Sequence, residues 1–120
     1  MYDHIGIRVT DLAASQRFYS AALGALGHAL NSSGEDYAGY GAGPSTFWLH
    51  LSDRAPAKGA HICFAAPDQA AVQRFHAAGL AAGGRDNGAP GPRPEYSEKY
   101  YAAFLIDPDG NNVEAVVSPR

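Results

Sequence analysis

The chain has a single cysteine, Cys63, a single tryptophan, Trp48, and a single methionine, Met1, among its 120 residues. One cysteine excludes an intrachain disulfide and suits a reducing compartment. No apolar run approaches the roughly 18 residues that a membrane-spanning helix needs. Positive charge is not in excess: 9 Lys and Arg stand against 12 Asp and Glu, a formal net charge of −3. Neither nucleic acid nor a membrane surface therefore has an electrostatic case as partner. The opening stretch MYDHIGIRV lacks a charged n-region and a long apolar h-region. A secretory signal is not expected there, and the cytoplasm is the expected compartment.

What is present is enough apolar residue for one packed core, at 46% of the chain, together with 14 glycines and 8 prolines. A single domain spanning 1–120, rich in turns and mainly β with few helices, fits that composition.

Residues 60–84 are an imperfect copy of residues 3–27 at a constant offset of 57. The matches include His4/His61, Ile5/Ile62, Asp11/Asp68, Gln16/Gln73, Arg17/Arg74, Phe18/Phe75, Leu23/Leu80 and Gly27/Gly84. Two copies are too few for a solenoid. They predict two half-domains packed on each other, with a histidine near the start of each.

Each half reads in the order βαβββ. Residues 2–9 alternate, with Ile5, Ile7 and Val9 on one face and His4, Gly6 and Arg8 on the other. Thr10 or Asp11 caps a helix to about Leu23, with a stripe of Leu12, Ser15, Phe18, Tyr19, Ala22 and Leu23. Strands are expected at 28–32, 36–40 and 45–52, giving a module of about 1–52. Residues 53–59 form a polar linker. The second module, about 60–118, has a strand at 60–66, a helix from Asp68 to about Leu80 and a short strand near 85–87. A Pro/Gly-rich loop is expected at 88–99, followed by strands at 100–106 and 112–117 around the turn Asp107-Pro108-Asp109-Gly110.

In the strongest strands one face is plainly hydrophobic and should pack on the helices. The other faces carry His4 and Arg8, Trp48 and His50, His61 and Cys63, and Glu114. If the sheets curve round a cleft, this polar set lines it. Two imidazoles and one carboxylate can ligate a metal ion and leave positions open for water or substrate. Such a set suits Zn, Ni, Co, Mn or Fe(II) without choosing among them. Cys63 reads as a small buried hydrophobe.

The stretches DHIGIRVTDLAASQRFY, AHICFAA and FLIDPDGNNVEAV resemble the vicinal oxygen chelate superfamily. That superfamily includes glyoxalases, bleomycin resistance proteins, fosfomycin-resistance thiol transferases and extradiol dioxygenases. The resemblance covers the whole chain. It implies an α+β fold of two pseudo-symmetric βαβββ modules whose sheets curve round a central cleft. It places the metal ligands on His4, His61 and Glu114, with His50 as a further candidate. A divalent ion is the implied cofactor, Glu114 the implied catalytic residue, and Arg8, Trp48, Tyr96 and Tyr101 are expected to meet the substrate. The implied activity is a metal-dependent lyase or isomerase acting on a small molecule held through adjacent oxygens. The alternatives are a ligand-sequestering protein without catalysis and an Fe(II) extradiol dioxygenase. A homodimer is the implied assembly, and the site can lie within one chain or across two.

Overall fold

Two aspartates set the frame of the fold. Asp11 and Asp68, equivalent in the repeat, sit at N-caps and accept from the backbone N–H of Ala14 and Ala71 at 3.0 and 2.8 Å. Each satisfies one of the orphan donors of a helix start. The helices are α1 (Leu12–Gly24) and α2 (Gln69–Ala81). The first module is completed by β1 (Ile5–Val9), β2 (Ala29–Ser33), β3 (Tyr37–Gly41) and β4 (Phe47–Leu51). The second has β5 (His61–Ala65), β6 (Arg85–Pro92), β7 (Tyr101–Ile106) and β8 (Asn112–Val117). This computed structural model describes residues 1–54 and 59–117. Of the expected linker 53–59, residues 55–58 lie outside the described residues, as does residue 118 at the expected end of the second module.

The result is an α+β fold of two βαβββ modules, each with its own four-stranded sheet. The strand orders are β1-β4-β3-β2 and β5-β8-β7-β6. In each sheet the helix-linked first strand pairs parallel with the last in its module, or with β8 in the second, and the remaining pairs are antiparallel. A parallel pair needs a crossover, and the capped helix supplies part of it. The register sets Gly6 opposite Trp48 and Arg8 opposite His50. In the second sheet it sets His61 opposite Asn112 and Cys63 opposite Glu114.

One expectation is corrected in β6. The short strand expected at 85–87 continues to Pro92, so the connection to β7 is much shorter than the loop expected at 88–99. Pro90 and Pro92 are tolerated because β6 is an edge strand, where a missing N–H leaves no ladder partner unmet. Its pairing with β7 shifts register around Gly88 and Gly91.

The apolar faces of both sheets share one core with the helices. Val9, Phe18, Tyr19, Leu49, Val72, Phe75, Leu105 and Val113 are fully buried in it. Phe47 of β4 meets Phe64 of β5 edge to face at 5.3 Å, joining the modules. The faces bearing Arg8, Trp48 and His50, and those bearing His61 and Glu114, are turned away from this core. No helix among the described residues is long and apolar enough to cross a membrane.

A buried polar hub also joins the modules. The Tyr19 hydroxyl on α1 donates to Asp107 Oδ2 at 2.5 Å. Asp107 further accepts from the backbone N–H groups of Asp109 and Asn111 at 3.0 and 2.8 Å, and from Asn111 Nδ2 at 3.0 Å. Gly110 takes φ +94° to close this turn, which an L side chain rarely adopts. Burial, and then the negative charge of Asp107, hold the Tyr19 phenol well above its ordinary pKa. Burial also raises Tyr40, against a hydrogen bond with Ser20 that opposes the shift.

An alkaline loss of stability is the expected consequence. Below the unfolded phenol pKa of about 10 both states keep the proton and nothing changes. Above it the unfolded chain ionises while folded Tyr19 does not, so stability falls by about 1.4 kcal/mol per pH unit for such a phenol. Urea midpoints between pH 9 and 11 should fall steeply for wild type and less steeply for Tyr19→Phe. Equal slopes would show that Tyr19 ionises freely in the fold.

Candidate functional site

The polar set resolves into two clusters, one on each sheet. On the second sheet Glu114 is only 3% exposed, although it lies on the face turned from the core. It is covered by its neighbours on that face. His61 Nε2 lies 3.1 Å from Glu114 Oε1, and the Tyr100 hydroxyl donates to Oε2. Burial, then the hydrogen bond and charge of Glu114, raise the Tyr100 pKa well above its ordinary value, so this phenol remains a donor. Phe104, opposite Glu114 in register, stacks with His61 at 6.4 Å and 19°. The Arg93 guanidinium lies 5.4 Å from the centre of Phe104 and donates to the carbonyls of Ala89 and Gly91. Tyr96 is 62% exposed and meets Tyr100 edge to face at 5.1 Å.

The two nitrogens of His61 carry a chemical demand. Nδ1 lies 3.2 Å from the Asn112 carbonyl and Nε2 lies beside the Glu114 carboxylate. A neutral imidazole has one proton for these two acceptors. With Nδ1–H donated to Asn112, a proton or a cation is required between Nε2 and Oε1. This pair therefore fits as part of a metal-binding set, with the outer nitrogen anchored as ligating histidines usually are.

On the first sheet His4 directly precedes β1, with Nδ1 2.6 Å from Asp3 Oδ1. A proton on Nδ1 donated to Asp3 leaves the Nε2 lone pair available. His4 lines a surface pocket of about 390 Å³ with Asp3, Ser45, Trp48 and His50. Arg8 is exposed and makes no hydrogen bond or ion pair among the described residues.

The structure thus brings His61 together with Glu114, and groups His4 with Trp48 and His50. Among the described residues, no three His, Cys, Asp or Glu side chains converge as a metal-holding group. Tyr96 meets the Glu114 cluster through the Tyr100 ring and through its backbone N–H, which donates to the Arg93 carbonyl at 3.0 Å.

Tyr101, expected to meet the substrate, lies on the side of its strand that faces α2. Its hydroxyl accepts from Gln73 Nε2 of α2 at 2.9 Å, and its ring packs on the shared core. It belongs to the helix side of the sheet. The tyrosine on the Glu114 side is its neighbour Tyr100. The signal was present in the alternation of 100–106. Tyr101, Ala103 and Leu105 share the core side, so Tyr100 and Phe104 fall on the other. Cys63, expected as a buried hydrophobe, is exposed, because β5 is an edge strand. It lies beside the Tyr100 hydroxyl.

Comparison with known proteins agrees with this architecture. The family model described as Glyoxalase/Bleomycin resistance protein/Dioxygenase superfamily matches residues 2–115. No curated protein matches the chain. Among solved structures, a glyoxalase/bleomycin resistance protein from Albidiferax ferrireducens T118 is 34% identical. The match covers 97% of this chain and 98% of that one, with a TM-score of 0.87. The fosfomycin resistance protein FosX from Mesorhizobium loti shares the fold at 16% identity and TM-score 0.72, over 99% of this chain and 92% of that one. A V278E mutant of glyoxalase I from Zea mays shares it at 23% identity and TM-score 0.70, over 99% of this chain but 45% of that one.

Proposed function

Because the chain belongs to the glyoxalase/bleomycin resistance protein/dioxygenase superfamily, we propose that it is a metal-dependent enzyme whose site is completed by two copies of the chain. His4 of one copy would join His61 and Glu114 of the other, around a substrate held through adjacent oxygens. The observation that carries this reading is the His61–Glu114 pair, with an acceptor beside each imidazole nitrogen, so that a proton or a cation must lie between Nε2 and Oε1. The separation of His4 from that pair supports the two-copy arrangement. So do the edge strands β1 and β5, two of the four sheet edges, each next to one half of the donor set.

A divalent ion held by His4, His61 and Glu114 would supply Lewis acidity toward substrate oxygens. The protein's own contribution is positioning and proton handling. Asn112 and Asp3 fix the two imidazoles through Nδ1. Tyr100 holds Glu114 by Oε2, which leaves Oε1 as the oxygen turned to the reacting centre. Released from its place between His61 and the ion, Glu114 Oε1 would be the acceptor for a proton from a carbon beside the substrate's paired oxygens, and in an isomerase would return it to the neighbouring carbon. Near-complete burial keeps water from competing for that oxygen. The aromatic surface around Trp48 favours one other reading, a protein that sequesters a ligand without turnover.

Metal content by plasma mass spectrometry, on untagged wild type and Glu114→Ala, tests the first reading. About one divalent ion per chain is expected in wild type, with most of it lost in the variant, whose folding is checked by circular dichroism. Wild type that takes up no divalent ion above micromolar affinity, even when loaded anaerobically, leaves the sequestering reading.

A further inference from the structure

Glycines on the outward side of the first sheet stand where aromatic rings lie down on the backbone. A Cβ on Gly39 would come within 2.7 Å of the Trp48 ring, with Ser45 Oγ at 2.8 Å. A Cβ on Gly6 would lie 3.1 Å from His50 Nε2, and one on Gly34 would lie 2.4 Å from the Tyr37 ring. At Gly39 and Gly34 an added Cβ would force the ring away, and at Gly6 the His50 ring would have to give by a few tenths of an ångström. Trp48 and His50 sit side by side, 6.4 Å apart and within 17° of parallel, and Tyr37 flanks Trp48 at 6.2 Å. The rings form a floor, partly open to solvent and continuous with the pocket that His4 lines. His50 forms part of this floor, over Gly6.

At one end of the floor is His4. At the other is Arg8, opposite His50 on the same face, its guanidinium without a partner among the described residues. Four steps of extended chain separate them, about 13 Å at the usual rise. A flat π-system lying on Trp48 and His50 would present one end to the His4 donor and the other to a cation.

We propose that the ligand of this face is a planar aromatic or heteroaromatic carboxylate, its ring on the Trp48–His50 floor and its anionic group on Arg8. This deepens the proposed function, because it rests on the His4 face being the substrate side. The floor itself needs no metal, so the two ideas can fail separately. Ring–ring contact supplies the preference for an unsaturated ligand. A guanidinium with open donors supplies the preference for a carboxylate.

The test uses the full chain treated with chelator, titrated with 2-naphthoate, its fully saturated analogue and uncharged 2-naphthamide. Affinity is read by calorimetry. Location is read from the indole N–H resonance, which is unique because Trp48 is the only tryptophan. Naphthoate is expected to shift that resonance and to bind roughly tenfold more tightly than the saturated acid. His50→Ala should weaken naphthoate roughly threefold to tenfold. Arg8→Gln should weaken it about tenfold and leave naphthamide unchanged. Gly39→Ala, whose methyl would displace the Trp48 ring, provides a second probe of the floor. Equal binding of naphthoate and its saturated analogue, no binding up to millimolar concentration, or an indole resonance unmoved at saturation would each overturn the proposal. Failure of the metal-dependent reading would appear separately, as wild type that retains no divalent ion.

Discussion

A mixture of His4→Ala and His61→Ala subunits, each unable to retain metal alone, is expected to recover about a quarter of the wild-type metal content. The figure follows from a two-fold dimer with shared sites. In random 1:1 assembly about half of the dimers are mixed, and each mixed dimer carries one intact site out of two. That intact site takes His4 from the His61→Ala subunit, and His61 with Glu114 from the His4→Ala subunit. Its partner site carries both lesions. Both substituted side chains are about half exposed or more, at 60% for His4 and 48% for His61, so neither change should unfold the chain. Co-expression with two separable tags, followed by plasma mass spectrometry of the whole mixture and of the isolated mixed species, in which about half of the wild-type content is expected, is the measurement. Metal in the mixed species no greater than in either parent would mean that each site lies within one chain. The mass in solution, by light scattering, should be that of two chains.

Replacing Asp107 by alanine is expected to be among the most destabilising single changes in the chain, at about 3–5 kcal/mol. The carboxylate is 2% exposed and accepts four hydrogen bonds. Its loss strands the buried Tyr19 hydroxyl and the Asn111 amide, each of which costs about 1–3 kcal/mol when left unpaired. The same change loosens the turn that leads into the strand carrying Glu114. In a domain of this size the loss corresponds to a fall in Tm of roughly 10–20 °C. Asp107→Asn keeps the shape and part of the acceptor set, so it should cost less. Urea denaturation of the two variants and of Tyr19→Phe decides the matter. A loss below about 1 kcal/mol in Asp107→Ala would remove the hub from the account of how the modules are joined.

Asp107 also shows what a sequence conceals. In DPDG it reads as a turn residue, and it is one, through its bonds to Asp109 and Asn111. Its bond to Tyr19 spans 88 positions and cannot be read from local pattern. The second helix carries His76 at the place equivalent to Tyr19. There the ring pairs with Asp86 at 2.9 Å. The repeat preserved the position and changed the partner.

β6 departs from its expected extent for a different reason. Pro90 and Pro92 lower the strand expectation for any segment, yet an edge strand needs only one side of its backbone for pairing. Whether a strand lies at an edge is a property of the sheet, so composition alone argued for a loop. The Tyr100 and Tyr101 assignments differ again, because there the alternation was legible. A parity shift of one residue exchanges the two faces of a strand. The core side of Ala103 and Leu105 settles which tyrosine goes where.

By itself the sequence determined the two βαβββ modules, their helix starts at Asp11 and Asp68, and the face on which most of the polar residues lie. These follow from repetition, capping and side-chain period, each fixed by near neighbours in the chain. Only the tertiary structure decided how those faces stand to one another. Phe47 against Phe64, Tyr19 against Asp107 and α1 against α2 place the apolar faces on a common core, and so turn both polar faces outward. Such contacts join residues distant in sequence, and their geometry depends on how whole surfaces pack, which no local period encodes. For that reason His4 could be assigned a face from the sequence, while its separation from Glu114 within one chain could not.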